Sequence, residues 1–335
     1  MFDKVAVIGA GSWGTTVAAI AAGSAPTVLW ARRDALAQSL ESTHENPDYL
    51  PGVPLPRALR ATASLEEAVT GSALVVMAVP SHGFRAVLTG LSGHVEAGAA
   101  VLSLAKGLEQ GSRRRMTEVI AEVVPGHCAG VLTGPNLARE IVAGQPAATV
   151  VAMTDESMAR SVQELLGTAT FRVYTNPDVV GCEMAGATKN VVAIAAGILQ
   201  GLGLGDSSLA ALVTRGLAEL GRLGVAMGGE RITMAGLAGV GDLVATCTSS
   251  LSRNRMVGEQ LGRGRSLDEI TAAMRMVAEG VKTARPLLEL AAANGVEMPI
   301  GEQVAAVLDG GTAPADAILA LMSRSAKPEF DGLGA

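Results

Sequence analysis

Short, nearly uninterrupted apolar runs punctuate the first half of the chain, at 4–8 (KVAVI), 27–30, 74–79, 99–104, 129–132 and 148–153. A strand covered on one face alternates apolar and polar residues, whereas one covered on both faces reads as a continuous run. These runs are therefore expected to be interior strands flanked by helices. Helical periods separate most of them, and Ser64 with Glu67 offers a capping box that starts a helix after the strand-like 60–63. Alternation at this spacing predicts an α/β fold with a doubly wound, mostly parallel sheet.

The pattern changes after 171–174. Asn176-Pro177 reads as an N-cap followed by proline at the first helical position, and from there to Met322 the chain is helical in period. Ser266 with Glu269 offers a second capping box. Glycine-rich joints at 201–205, 228–229 and 236–241 separate the helical segments. An α/β domain over 1–180 and an all-helical domain over 181–330 are expected, with 327–335 as a loose tail.

One glycine cluster carries chemistry. Gly9, Gly11 and Gly14, around Ser12 and Trp13, form GxGxxG between the first strand and the helix after it. The first glycine permits the tight turn, the second lets backbone approach a pyrophosphate, and the third packs helix closely on strand. Alone the motif is weak, but with a strand before, a helix after and βαβ rhythm beyond, it marks 1–180 as a dinucleotide-binding domain. The acidic ribose ligand expected about 20 residues on is missing. Arg32-Arg33 stands near that position instead, followed by Asp34. Two adjacent guanidiniums suit a 2′-phosphate, which favours NADP and leaves NAD open; two solvated arginines are the plainer alternative.

Composition narrows the classes. In 335 residues, 2% aromatic content and a net charge of −6 leave neither base-stacking residues nor a basic stripe, so nucleic acid is not an expected partner. No run of 18 apolar residues occurs, which argues against an integral membrane span. Cys128, Cys182 and Cys247 are scattered, as are His44, His82, His94 and His127. That gives no metal-ligand spacing and fits a reducing, cytoplasmic compartment. Among the histidines only His82, just past a strand end in 79–82, has a context suited to a cofactor.

The lysines are more informative. Lys106 follows the strand at 99–104, and Lys189 lies inside an otherwise apolar helix. Burial of a lysine disfavours its charged form and moves its pKa towards the range of a general base, unless the side chain escapes to solvent. Asp242 and Thr246, four apart, share one helix face, although Asp after glycine also suits a helix start. Ser252-Arg253-Asn254 offers hydroxyl, guanidinium and amide in a compact anion-binding set, or a solvated helix start.

Taken in order, these strings resemble the bacterial NAD(P)-dependent sn-glycerol-3-phosphate dehydrogenases. The likeness runs from about Val5 to Met322. It is carried by 9–14, by 46–52 with Tyr49-Leu50-Pro51-Gly52, and by Val79-Pro80-Ser81, 104–108 and Thr133-Gly134-Pro135. Lys189-Asn190-Val191, 236–243, 252–254 and 277–280 complete the set. The resemblance implies a Rossmann domain followed by an all-α domain of the 6-phosphogluconate dehydrogenase C-terminal type. It implies reversible hydride transfer between NAD(P)H and dihydroxyacetone phosphate, giving sn-glycerol 3-phosphate for phospholipid synthesis, in a homodimer without a metal.

By position, Lys189 then matches the proton acceptor, with Lys106 and Asp242 as its catalytic companions. Substrate binding falls to Lys106, Gly134, Asn136, Lys189, Asn190, Asp242, Thr246, Ser252, Arg253 and Asn254. Cofactor binding falls to Gly9, Gly11, Ser12, Trp13, Gly14, Arg32, Arg33, Tyr49, Pro80, Lys106, Ala138, Arg253, Val277 and Glu279. The chain departs from the family at Asn136-Leu137, where many members carry Ser or Thr and then Phe; Asn keeps a polar group there. A related 2-hydroxyacid-type or 6-phosphogluconate-type dehydrogenase, and a non-catalytic NAD(P)-binding redox sensor, are the competing readings.

Overall fold

The computed structural model describes residues 2–274, 277–326 and 328–329, so most of the tail at 327–335 lies outside the described residues. The chain divides into two compact units, Met1–Ala105 with Arg115–Val179, and Lys106–Arg114 with Val180–Ala335. Residues 106–114 thus leave the expected first domain and group with the helices.

The first unit is built on strands β1 (Val5–Ile8), β2 (Thr27–Trp30), β3 (Glu45–Asn46), β4 (Leu50–Pro54), β5 (Leu59–Thr62) and β6 (Leu74–Met77). They continue as β7 (Ala100–Ser103), β8 (Ala129–Thr133), β9 (Ala147–Met153) and β10 (Phe171–Asn176). Eight of them form one sheet in the order β5-β2-β1-β6-β7-β8-β9-β10. Every neighbouring pair is parallel except β8 with β9. The continuous apolar runs have the expected cause. Val5, Val7, Leu74, Val76 and Leu102 feed one buried layer, and Ala6, Ile8, Val75, Met77 and Val101 feed the other. The strand order reverses at β1, which places the loop after Ile8 at the topological switch point where such sheets bind ligands.

Local details differ from the sequence reading. The β3–β4 hairpin leaves no sequence pattern, because its strands are short and carry Pro51 and Pro54. Ser64 Oγ accepts from the Glu67 amide, but the Glu67 carboxylate accepts from Thr62 instead of closing the box. Ser266 and Glu269 form both halves of theirs. Asn176 is not an N-cap. It ends β10, its Oδ1 accepts from the Asp178 amide at 2.8 Å, and the helix begins at Val179.

The second unit is helical around Val179–Gly201, which contributes Met184, Ala187, Val191, Val192, Ile194 and Ile198 to its core. By length and apolar composition this 23-residue helix could cross a membrane, contrary to the argument from run length; 94% of its most apolar window is buried inside the protein, as in a core helix. Helix Arg253–Gly262 crosses it at backbone contact. A Cβ on Gly197 would lie 1.9 Å from the Arg255 carbonyl oxygen, and one on Gly258 1.9 Å from that of Ile194. Only paired glycines permit this approach, and it sets the spacing of side chains one to two turns away.

Helix Asp206–Ala226 carries a buried acid, Glu219, only 3% exposed. Its carboxylate accepts from the Ile300 and Gly301 amides, at 2.7 and 3.2 Å, in the first turn of helix Pro299–Leu308. It satisfies donors that a helix start leaves open. Burial pushes its pKa from 4.5 up to about 7, against the two amides that favour the charged form. A carboxyl raised in the folded state binds more protons than its unfolded counterpart between those values. Its contribution is therefore fully present below the unfolded pKa and is lost as pH rises to about 7. Urea unfolding of wild type and Glu219→Gln should diverge over that window, the variant gaining up to ~3 kcal/mol relative to wild type by pH 8. A constant difference would exclude this titration.

Candidate active site

In the second unit three charged side chains meet out of water. Lys189, on the core helix, and Asp242, the first residue of helix Asp242–Thr248, are 5% and 2% exposed. Lys189 Nζ donates to Asp242 Oδ1 at 3.0 Å and to Thr246 Oγ1 at 2.7 Å. Lys106 Nζ donates to the other carboxylate oxygen, Oδ2, at 2.6 Å. Thr246 sits one turn beyond Asp242 and donates its own proton back to the Asp242 carbonyl at 2.6 Å. That bond leaves a hydroxyl lone pair facing Lys189. Asp242 is placed by a π-turn, Leu237–Gly241, that ends immediately before it. A side chain on Gly239 would collide with the Met234 backbone at 2.0 Å, which explains glycine in that turn.

The electrostatics follow from burial. Desolvation lowers the Lys189 pKa from 10.5 to about 8, opposed by the Asp242 carboxylate and assisted by the Lys106 ammonium. Burial alone would raise Asp242, but the two ammonium groups outweigh it and hold the carboxyl below its ordinary range. Cys247, next to Thr246, is driven by burial to about 12, so it stays a thiol beside the site.

A chain of amides braces the group. The Asn190 side-chain amide donates to the Lys106 carbonyl at 2.7 Å, and that of Asn254 donates to Asn190 Oδ1 at 2.8 Å. The Gly280 amide donates to Asn254 Oδ1 at 3.0 Å. The Lys106 amide donates to the Glu279 carboxylate at 2.9 Å, and Arg253 reaches the Val277 carbonyl at 2.6 Å. Ser252 caps helix Arg253–Gly262 by accepting from the Arg255 amide. Asn190 and Asn254 are therefore knitted into the protein as well as available in type for a ligand. Glu279 meets the Lys106 backbone, a contact that spacing alone did not suggest.

In the first unit the glycine fingerprint has the geometry its motif requires. Gly9 has φ +123°, and a Cβ there would sit 2.7 Å from the Ala78 carbonyl. At Gly14 a Cβ would strike the Gly9 oxygen at 2.0 Å. Gly11 faces open space, no side chain caps helix Ser12–Ala21, and its first turn holds no carboxylate. A pyrophosphate fits such a helix start. Trp13 Nε1 is buried without a hydrogen-bond partner among the described residues, and its ring meets Phe171 edge-on. Pro80 precedes helix Ser81–Leu91, which starts with His82 exposed at its second position.

Around the fingerprint, Ser12 Oγ donates to the Tyr49 carbonyl at 2.9 Å. Asn46, fully buried, donates to the Ala10 carbonyl and to Thr15 Oγ1, and its Oδ1 accepts from the Tyr49 amide. Asn46 was visible only as part of a string, without a role; no periodicity marks an asparagine that ties a hairpin to a distant loop. Arg33 is ion-paired with Asp48, while Arg32 is exposed and unpaired among the described residues. At the end of β8, Gly134 has φ +125°, and Ala138 begins helix Ala138–Val142. Between them Asn136 donates to Thr149 Oγ1 at 3.0 Å and keeps its Oδ1 buried, with no partner among the described residues.

A Rossmann unit with an open pyrophosphate cradle, and a helical unit holding a buried lysine against a carboxylate, define by class an NAD(P)-dependent oxidoreductase. Family models described as NAD-dependent glycerol-3-phosphate dehydrogenase N-terminus and C-terminus match residues 4–159 and 178–319. The chain belongs to this family. It is 53% identical to glycerol-3-phosphate dehydrogenase (NAD(P)+) 2 of Sphingopyxis alaskensis, over 97% of this chain and 98% of that one. It is 54% identical to glycerol-3-phosphate dehydrogenase (NAD(P)+) of Thermobifida fusca, over 98% and 99%. The crystal structure of glycerol-3-phosphate dehydrogenase from Coxiella burnetii superposes with a TM-score of 0.92 at 36% identity, covering 96% of this chain and 99% of that chain.

Removing the charge of Asp242 leaves two ammonium groups facing each other with little water. Asp242→Asn is therefore expected to cost about 3–5 kcal/mol in urea unfolding at neutral pH. It should also lower the Lys189 pKa further, read by NMR of 15N-labelled lysine side chains. Unchanged stability together with an unmoved Lys189 would show that the carboxylate is not the counter-ion.

Proposed function

We propose that this protein interconverts dihydroxyacetone phosphate and sn-glycerol 3-phosphate with NAD(P)H or NAD(P)+. The α/β unit holds the dinucleotide, and the helical unit, joined by 106–114, supplies the proton-transfer group. The observation that carries the reading is the buried Lys189, held by Asp242 and Thr246 with a pKa lowered to about 8. Bound nicotinamide supplies the hydride in one direction and accepts it in the other.

The residues divide the remaining work. A neutral lysine has two N–H bonds and one lone pair. Thr246 and Asp242 accept the two N–H bonds, and the lone pair remains for the secondary hydroxyl of glycerol 3-phosphate. The same nitrogen, as ammonium, returns the proton to the developing alkoxide in reduction. Asp242 orients both lysines and balances their charge, and Lys106 polarises the substrate oxygen. Arg253, whose guanidinium donates to the Val277 carbonyl, binds the phosphate. Ser252, Asn190 and Asn254 line the substrate region of the helical unit. Anchoring a phosphate remote from the reacting carbon converts binding energy into orientation. Arg32 and Arg33 favour NADPH. We further infer that the enzyme acts as a cytoplasmic homodimer supplying glycerol 3-phosphate for phospholipid synthesis.

The test follows absorbance of NADPH, and separately NADH, after dihydroxyacetone phosphate is added to purified protein. Lys189→Ala should lower kcat at least about 100-fold, the range of a lost acid–base catalyst, while Arg253→Ala should chiefly raise KM. Oxidation needs neutral Lys189, so its kcat/KM should rise with pH through about 8, and reduction, which needs the ammonium, should fall over the same interval. Dinucleotide binding without turnover would favour the sensor reading.

A further inference from the structure

Helix Asp34–Thr43 opens at Arg33, whose guanidinium projects from the end of β2 with 55% of the side chain exposed. Asp48, 35% exposed, forms an ion pair with it across 15 residues of chain. The partner does not reach Arg33 by the chance wandering of a surface loop. Asp48 lies in the β3–β4 connection, and that connection is fastened on both sides of it. Asn46 is buried and bonded to Ala10 and Thr15, while the Tyr49 carbonyl accepts from Ser12. Ala10, Ser12 and Thr15 belong to the glycine fingerprint and its helix. The carboxylate is thus held beside the one arginine of the Arg32-Arg33 pair that the fold has engaged.

We propose that Asp48 sets the cofactor selectivity of this enzyme by masking Arg33 against a 2′-phosphate. The inference rests on the reading that Arg33 lies where the adenosine ribose of the dinucleotide binds. A 2′-phosphate brings close to two negative charges to a cation already neutralised. To use Arg33 it must share the guanidinium with Asp48 or displace it, and it meets the carboxylate's repulsion either way. A 2′-hydroxyl meets no such repulsion and can donate to a carboxylate. Asp48 therefore holds down a preference for NADPH that the two arginines would otherwise make steeper, and NADH remains usable. The pair is exposed, so the effect is a modest, salt-sensitive one.

The test measures dissociation constants of NADP+ and NAD+ by titration calorimetry, for wild type, Asp48→Asn, Asp48→Glu, Arg33→Ala and the Arg33→Ala/Asp48→Asn double variant. In Asp48→Asn the ratio of the two constants should move about two- to fivefold towards NADP+ at low salt and less at 0.5 M. Asp48→Glu should stay near wild type. In the Arg33→Ala background the Asn substitution should lose most of its effect, because the cation it unmasks is gone. An unchanged ratio in Asp48→Asn, or an equal shift with Arg33 absent, would overturn the proposal while leaving the cofactor reading intact. Failure of wild type to bind either dinucleotide would overturn both.

Discussion

One carboxylate, that of Asp242, sits between two ammonium groups where almost no water reaches, and the helical unit is arranged around that fact. A lone lysine in an apolar helix would shed its proton or leave the core, since burial disfavours charge. Two lysines without a counter-ion would repel each other at an effective dielectric far below that of water. With Asp242 the group carries at most one net positive charge, and Lys189 is left at about 8 instead of 10.5. That value suits the proton transfer proposed for Lys189. A base of ordinary lysine pKa would be almost wholly protonated near neutrality, and one stripped of its counter-ion would be a weak proton donor on the return.

Holding such a group demands rigidity, because the balance between desolvation and attraction shifts steeply with a few tenths of an ångström. The amide chain from the Lys106 carbonyl through Asn190 and Asn254 to the Gly280 amide ties four segments together with hydrogen bonds of 2.7–3.0 Å. Behind it, Gly197 against the Arg255 carbonyl and Gly258 against that of Ile194 bring the two asparagine-bearing helices to backbone distance. A buried polar network that is fully satisfied stiffens its surroundings, and one missing a member becomes a liability. Here the charged group and the uncharged chain share Lys106, which offers its ammonium to one and its carbonyl to the other.

Much of this was readable from residue patterns, for identifiable reasons. Sheet strands buried on both faces announce themselves as unbroken apolar runs, and the turn after β1 announces itself through glycines that no other residue replaces. Lys189 stood out because a charge inside an apolar helix has to be explained. Asp242 and Thr246 followed from a spacing of four. What stayed hidden was long-range and non-periodic. The β3–β4 hairpin is too short and too rich in proline to register, and so neither the anchoring role of Asn46 nor the pairing of Asp48 with Arg33 was visible. Asn176 ends a strand and does not cap a helix, a difference hidden in the sequence because Asn-Pro has the same signature whether it opens a helix or closes a strand with a side-chain turn. The grouping of 106–114 with the helices, and the contact of Glu279 with the Lys106 amide, depend on tertiary packing between positions more than 170 apart.

Two of the protein's pairings of a carboxylate with a cation stand in surroundings that give them different strength. At Asp242 the partners are nearly dry, and the attraction is large enough to offset most of the cost of burying charge and to decide which protonation state the lysine adopts. At Asp48 the partners are half in solvent, where a pair contributes on the order of 1 kcal/mol or less and is screened by salt. An interaction of that size could not hold a catalytic base in place. It is, however, the right size to bias a choice between two dinucleotides that differ by a single phosphate, since 1.4 kcal/mol already separates them tenfold. Under the proposed function the same residue chemistry serves proton transfer in one place and discrimination in the other, and what separates the two uses is access to water.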